Sequence, residues 1–389
     1  MEKKTSIYDN ALIWFGAGVS IAEILTGTYY ASMSFKEAML AILIGHICGF
    51  ILMSLSGLIG AKTGLSAMQA TKLSFGKVGG IFFASLNFLQ LVGWTAIMIY
   101  DGAISSGELF STGSKIWAII IGLLIIIWIG IGISNLGKLN TVSMIALFAL
   151  TILMSRKSFT SSLSSNLSAE ALSFGQAIEL AIAMPMSWLP LISDYTSKAE
   201  KPVKASFVST GIYSLVSIWM YTIGLTGAMA TGQTTLSAIF SYSGIGSLAI
   251  VIIILSTVTT TFLDAYSAGI SFEAIKEGAN GKMVAIIVSA IGILGALLYP
   301  MDDISNFLYL IGSVFAPMIA VQIADFFIKK DKSSLDTKIN IVSWVIGFII
   351  YRVLLKLDIV IGASVASVIL TILVSLILRN IFTKSRLSD

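Results

Sequence analysis

Apolar residues run along this chain in long blocks, broken by short stretches rich in charged, Gly, Ser or Pro residues. A helix needs about 20 apolar residues to cross the hydrocarbon core of a bilayer. Twelve blocks approach that length, at about 11–33, 37–60, 81–104, 116–134, 139–155, 175–195, 206–229, 246–272, 283–300, 304–328, 340–356 and 359–381. The block 340–356 is short and ends near Arg352 and Lys356. The pattern predicts an all-α polytopic membrane protein with twelve transmembrane helices.

Composition agrees. Of 389 residues, 56% are hydrophobic and 11% charged, with mean hydropathy +0.94. A soluble domain carries about 25% charged residues, so most of this surface must face lipid. With one Cys (Cys48) and one His (His46), no disulfide framework and no multi-Cys or multi-His metal site is expected. The apolar stretch after Met1-Glu-Lys-Lys is too long for a signal-peptide core and is read as the first span. With cytoplasmic termini, eighteen of the 24 basic residues fall inside, among them Lys3, Lys72, Lys77, Lys198, Lys329, Lys330, Lys332 and Arg379. That positive-inside bias predicts a multi-pass protein of the cell (inner) membrane with both termini cytoplasmic. The short loops leave no room for a soluble catalytic domain. No phosphate-binding glycine loop, hydrolase elbow or zinc-helix motif is present, so the reading is a carrier and not an enzyme, with no cofactor, no nucleic acid and no obligate protein partner.

Ionisable groups inside spans cost at least ~2.5–3.5 kcal/mol on insertion scales and usually face a cavity or a partner. Glu23 lies near the middle of the first span, flanked by Gly16, Gly18 and Gly27. Glycines allow close helix approach and loosen a helix where carbonyls must point at an ion. The competing reading is tight packing with Glu23 protonated or paired. The sixth span holds Pro185 and Pro190, two of the chain's five prolines, around Ser187 and Trp188. Each proline removes a backbone donor, so this helix is expected to break, against the alternative of a simple kink. In the third span Asn87, Gln90, Trp94 and Asp101 share a helical face; in the eighth, Thr257, Thr260, Asp264, Ser267 and Ser271 do so, broadened by Thr259 and Thr261. Hydroxyls bonding their own helix explain the Ser and Thr but not Asp264.

Spans 1 and 6 look interrupted and spans 3 and 8 are polar-striped. Both pairs are five spans apart, and an odd offset inverts the second copy, the signature of an inverted repeat that binds at the bilayer midplane. His46 reads as a hydrogen-bonded packing residue and not a proton relay. Glu179 is expected to favour the start of its own helix. Trp14, Trp117 and Trp344 lie near span ends and fit an interfacial aromatic belt.

Five stretches carry a family resemblance: Trp14-Phe-Gly-Ala-Gly18, Gly93-Trp94, Ser187-Trp-Leu-Pro-Leu-Ile-Ser-Asp-Tyr-Thr196, Thr259-Thr-Thr-Phe-Leu-Asp-Ala-Tyr-Ser-Ala-Gly269 and Phe315-Ala-Pro-Met-Ile-Ala-Val-Gln-Ile-Ala-Asp-Phe326. Over nearly its whole length the chain resembles the nucleobase–cation symporter-1 family, nearest the hydroxymethylpyrimidine permease (CytX) branch that serves thiamine-precursor uptake. The resemblance implies a LeuT-type five-plus-five inverted repeat with two accessory C-terminal helices. It places repeats at 1–157 and 158–330 and the accessory helices at 331–389. It also implies that Trp94 stacks on a flat heterocycle while Ser187, Trp188 and Asp264 supply hydrogen bonds. A sodium site would use the backbone around Ser20 and Glu23 with the Thr259 and Thr260 hydroxyls. Relatives commonly have an arginine where this chain has Ser197 and Lys198. Some place a ring-binding glutamine where Met98 stands, a role Gln90 could take.

The combined expectation is a secondary active symporter for an aminopyrimidine, hydroxymethylpyrimidine first, working by alternating access. Trp94 stacks the ring, Asp264 or Glu23 reads its amino edge, and Ser187 and Trp188 complete the pocket. Gly27, Pro185, Pro190, Gly312 and Pro317 serve as gating points. The coupling ion is Na+ or H+, since the carboxylates can carry a proton. Rivals are a cytosine, purine or amino-acid permease on the same fold, a channel, and an intramembrane enzyme.

Overall fold

A chain in hydrocarbon must satisfy its backbone groups within each segment, which leaves helices as the form for these apolar blocks. The computed structural model describes residues 4–131, 137–158, 172–301, 304–328 and 336–388. Lys3, Lys329, Lys330 and Lys332, used above for orientation, lie outside these residues, as does the expected repeat boundary at 330/331.

The first half runs α1 (Ile7–Gly18), α2 (Ile21–Thr28), α3 (Phe35–Thr63), α4 (Ala67–Phe110), α5 (Ser114–Ile131) and α6 (Gly137–Ser158). The second runs α7 (Phe174–Ser187), α8 (Ile192–Thr196), α9 (Pro202–Thr231), α10 (Leu236–Ser243), α11 (Ala249–Ile275), α12 (Gly281–Leu298) and α13 (Ile304–Ile323), which ends in a π-helical turn (Ala324–Ile328). Helices α14 (Asp336–Leu354) and α15 (Ala363–Ser388) follow. Among the described residues ten helices are long and apolar enough to cross a membrane, or eleven with the bent pair α1–α2 taken as one span. Helix α6 stands where the block 139–155 was expected and is not one of these, so that criterion falls short of twelve.

Three features depart from the sequence reading. Helix α4 extends well beyond 81–104, because a left-handed Gly76 (φ 67°) joins an extra helical arm, which carries Lys72, to the span. The loop after α9 contains α10, whose Leu236, Ile239 and Phe240 are buried. Arg379, counted as a cytoplasmic topology signal, is buried: its guanidinium pairs with Asp325 at 2.9 Å and donates to Asn340. Asp325 also accepts from Ser74 at 2.8 Å, so this cluster ties α15, the end of α13 and the α4 arm together.

Inside and outside are told apart by size more than by hydrophobicity. On α3, Leu40, Leu43, Ile47 and Ile51 are exposed, while Gly45, His46, Gly49 and Met53 are buried. Small residues let backbones meet where no water-driven force pulls helices together. A methyl at Gly49 would lie 2.5 Å from the Pro185 ring, so the proline of α7 seats against α3 only because that position is bare. Two groups of helices result. One joins α1–α2, α3, α7–α8 and α9; the other joins α4, α5, α11 and α12.

Candidate functional site

Two helix breaks open beside each other at the centre of the first group. Helix α1 ends at Gly18, and α2 starts at Ile21 after a 43° bend. Ser20 is extended (φ −119°, ψ 142°) and its hydroxyl accepts from the Ala22 N–H at 3.2 Å. The carbonyl end of one helix therefore meets the N–H end of the next, and their partial charges are opposite. Helix α7 stops at Ser187 and α8 begins at Ile192. The carbonyls freed there are caught from neighbouring helices: Leu189 by the Ser56 hydroxyl at 2.8 Å and Pro190 by the Asn87 amide at 3.1 Å. Both interruptions fall where the glycines and prolines foretold them.

Between the breaks lies a small space, of about 20 Å³, lined from both interruptions. Trp94 and Met98 of α4 and Asp264 and Thr260 of α11 form one wall. Glu23, Ser20, Ser187 and Trp188 face them from the breaks, with Ala17, Ala22 and Met184 filling in. Trp94 meets Phe307 edge-on, with centroids 5.4 Å apart. Its indole N–H is buried and finds no acceptor among the described residues. Asp264 is buried, and among the described residues no hydrogen-bond donor reaches its carboxylate. An unpaired polar group in such a place is expensive unless a ligand completes it.

Glu23 is differently placed. Ser20-Ile-Ala-Glu23 has the spacing of a capping box, in which the glutamate would return to the Ser20 N–H. Instead its carboxylate crosses to α9 and accepts from Tyr213 at 2.6 Å and Ser217 at 2.8 Å. Ser217 in turn contacts His46 Nε2 at 2.7 Å, and His46 Nδ1 lies 2.8 Å from the Ile42 carbonyl. A methyl on Gly27 would lie 2.3 Å from the Tyr221 carbonyl oxygen, so α2 is held hard against α9. Gly27 and Gly312, both nominated as gating points, are thus also points of close contact; a methyl at Gly312 would lie 2.3 Å from the Tyr351 hydroxyl.

Of the other nominated residues, Gln90, Asp101 and Thr259 fall around the cavity without lining it. Gln90 donates to Asn87 at 2.6 Å, and Asn87 donates to Ser271, so this part of the α4 stripe joins α4 to α11. Asp101 lines a separate space with Tyr29, Tyr100 and Glu108. Thr259 donates to the Leu255 carbonyl at 2.7 Å, and Thr260 to the Gly16 carbonyl at 3.3 Å. That last contact joins a span-8 hydroxyl to a span-1 carbonyl, but the carbonyl is that of Gly16 and not one around Ser20 or Glu23. Ser187 donates to Met184 at 2.7 Å, which leaves its oxygen to act as an acceptor.

Trp14 is not at an interface. It is fully buried in a cluster of edge-to-face rings with Trp188, Tyr195 and Tyr213, at 5.3, 5.7 and 6.0 Å, directly behind the cavity. Trp344 likewise points inward and donates to the Val314 carbonyl at 2.9 Å. Glu179 does not serve its own helix: it accepts from the Tyr351 hydroxyl and from the Ser364 N–H and hydroxyl, each at 2.6 Å, at the start of α15. Tyr213 and Ser217 were missed, since nothing in α9 alone marks them as partners of a glutamate 190 and 194 residues earlier.

Comparison with known proteins meets this geometry. The chain is 27% identical over 327 residues to the cytosine permease of Escherichia coli (strain K12), covering 82% of this chain and 77% of that one. It is 23% identical over 344 residues to a putative purine-cytosine permease of Bacillus subtilis (strain 168), covering 81% and 74%. Among solved structures it shares the fold of Mhp1, a nucleobase-cation-symport-1 family transporter in a closed conformation with bromovinylhydantoin bound. That match has a TM-score of 0.78 and 18% identity over 97% of this chain and 94% of that one. A family model described as "Permease for cytosine/purines, uracil, thiamine, allantoin" matches residues 1–340. With that model spanning most of its length, the chain belongs to this permease family.

Proposed function

We propose that this permease is a secondary active symporter that imports an aminopyrimidine, with hydroxymethylpyrimidine as first candidate, by alternating access. The observation that carries the reading is Asp264: a buried carboxyl without a donor, facing a cavity that Trp94 also lines. An aminopyrimidine presents an amino group beside a ring nitrogen. A carboxyl group meets that edge with two parallel bonds, its carbonyl oxygen accepting from the amino N–H and its O–H donating to the ring nitrogen. Trp94 offers the flat face on which such a ring stacks. Ser187 and Trp188 complete the pocket, with Gln90 held one turn before Trp94. Cytosine carries the same edge, and the likeness to a cytosine permease makes it the second reading.

In this reading the chain crosses the inner membrane twelve times with cytoplasmic termini, as two five-span inverted repeats and the accessory pair α14–α15. The composition of the two helix groups supports it, because each unites spans that lie five apart. The groups would rock against each other, with Gly27, Pro185, Pro190, Gly312 and Pro317 at the points that bend. The cotransported ion is sodium, at Ser20, Thr259 and Thr260, or a proton.

The test is uptake of radiolabelled hydroxymethylpyrimidine and cytosine into cells lacking their own pyrimidine permeases. Accumulation above the external concentration is expected, and Asp264→Ala or Trp94→Ala should abolish it at unchanged membrane levels. Full uptake by both variants would remove the site assignment.

A further inference from the structure

The hydrogen bonds around Glu23 count protons. The Ile42 carbonyl can only accept, so His46 Nδ1, 2.8 Å away, carries a hydrogen. The Ser217 hydroxyl has one hydrogen and two close partners, His46 Nε2 at 2.7 Å and Glu23 Oε2 at 2.8 Å. If Ser217 donates to Glu23, then His46 Nε2 must donate to Ser217, and the imidazole carries both hydrogens. If Ser217 donates to His46, then Glu23 must donate to Ser217, and the carboxyl is protonated. These two arrangements hold the same number of protons. An ionised Glu23 beside a singly protonated His46 holds one fewer, and it sets two lone pairs against each other in one of the two Ser217 contacts, whichever way the hydroxyl points.

We propose that Glu23, Ser217 and His46 together form one proton-holding site, and that the ion moved with the solute is a proton carried on it. The proposal rests on the symporter reading above and goes beyond it by naming the ion and its seat. Glu23 faces both ways, lining the solute cavity and closing the chain to His46. A proton arriving from the side on which the cavity opens adds to a Glu23 oxygen, and Ser217 passes it to or from His46 by a paired shift of two hydrogens. It leaves from Glu23 to water on the other side, and only O–H and N–H bonds change.

The surroundings leave the site its own charge balance. Tyr213 of α9 donates to Glu23, and Tyr221 of the same helix lies edge-on to His46 with centroids 4.9 Å apart. Tyr30 lies beyond Tyr221 and donates to the Ala177 carbonyl, and Glu179 of α7 is held by Tyr351 and Ser364. Asp264 of α11 lines the same cavity. Among the described residues no lysine or arginine pairs with Glu23 or His46. A buried carboxylate and a buried histidine, with no lysine or arginine paired to either among the described residues, are stabilised by sharing one proton.

His46 is the chain's single histidine, which gives the experiment a direct readout. The full-length protein, labelled with ¹⁵N-histidine and held in lipid nanodiscs, is titrated with no solute present. Nδ1 should stay protonated throughout while the Nε2 resonance passes through one transition, and Ser217→Ala should abolish that transition or move it by about one pH unit, ~1.4 kcal/mol. An Nε2 signal that never changes, or a transition identical in Ser217→Ala, would overturn the proposal.

In sodium-free proteoliposomes, an acid exterior should drive labelled cytosine or hydroxymethylpyrimidine inward together with protons, reported by an internal pH dye. His46→Gln keeps an amide that can donate to Ser217 but holds no titratable proton. It should retain solute exchange and lose the response to the pH gradient. Uptake that requires sodium and ignores that gradient would also overturn the proposal. Exchange of neither solute, beside the expected Nε2 transition, would remove the solute assignment and leave the proton site supported.

Discussion

Two buried glutamates in this molecule take the same kind of bond and do different work. Glu23 and Glu179 each accept from a tyrosine hydroxyl at 2.6 Å and from a serine hydroxyl. The donors to Glu179 come from two helices, α14 and α15, and include the Ser364 N–H in the first turn of α15. A carboxylate there completes an orphan helix N-terminus and fastens the last two helices to α7. The donors to Glu23 are hydroxyls of one helix, a histidine stands behind one of them, and the other side of the group faces a cavity. The two carboxylates thus differ less in burial than in their donors and in what lies on their far side: fixed helix ends for Glu179, a cavity for Glu23.

The largest effect that would break this contrast is on coupling. Glu23→Gln should abolish concentrative uptake of labelled cytosine or hydroxymethylpyrimidine in proteoliposomes while the protein stays folded. Glu179→Gln should leave concentrative uptake in place. Next comes stability: Glu179→Ala strands three buried donors at ~1–3 kcal/mol each and should lower the melting temperature in detergent by several degrees. Gly27→Ala tests the grip of α9 on α2. Its methyl meets backbone and not a mobile side chain, so a loss of ~1–3 kcal/mol is expected, seen as reduced folded yield. Smallest are the two tyrosines. Tyr213→Phe and Tyr351→Phe should each cost about 0.5–1.5 kcal/mol, but only Tyr213→Phe should move the pH at which uptake is half-maximal.

Much of this was legible in the sequence because it rests on local chemistry. Proline at 185 and 190 removes donors within one span, and glycine around 16–18 weakens another, so both breaks could be placed without a partner. Trp94 and Asp264 stood out as a tryptophan and a carboxyl on polar stripes, and they line the cavity. What escaped depends on which helix a face meets. Trp14 lies near a span end, where rings often sit at the lipid interface, yet it packs behind the cavity because α8 and α9 cover it. Gln90 shares a helical face with Trp94 and turns to Asn87 instead of the cavity. Arg379 follows the charge pattern of a cytoplasmic end, and only its burial beside Asp325 reveals a clamp. His46 was read as a packing histidine, and its path to Glu23 runs through a serine 171 residues away that no local signal marks.

The most direct test of the central claim is sodium-free uptake of labelled cytosine and hydroxymethylpyrimidine into proteoliposomes under an acid-outside gradient, comparing the wild type with Asp264→Ala. Concentrative uptake by the wild type, lost in Asp264→Ala at equal protein incorporation, is the expected result. Equal uptake by both proteins, or uptake by the wild type only when sodium is supplied, would contradict the account.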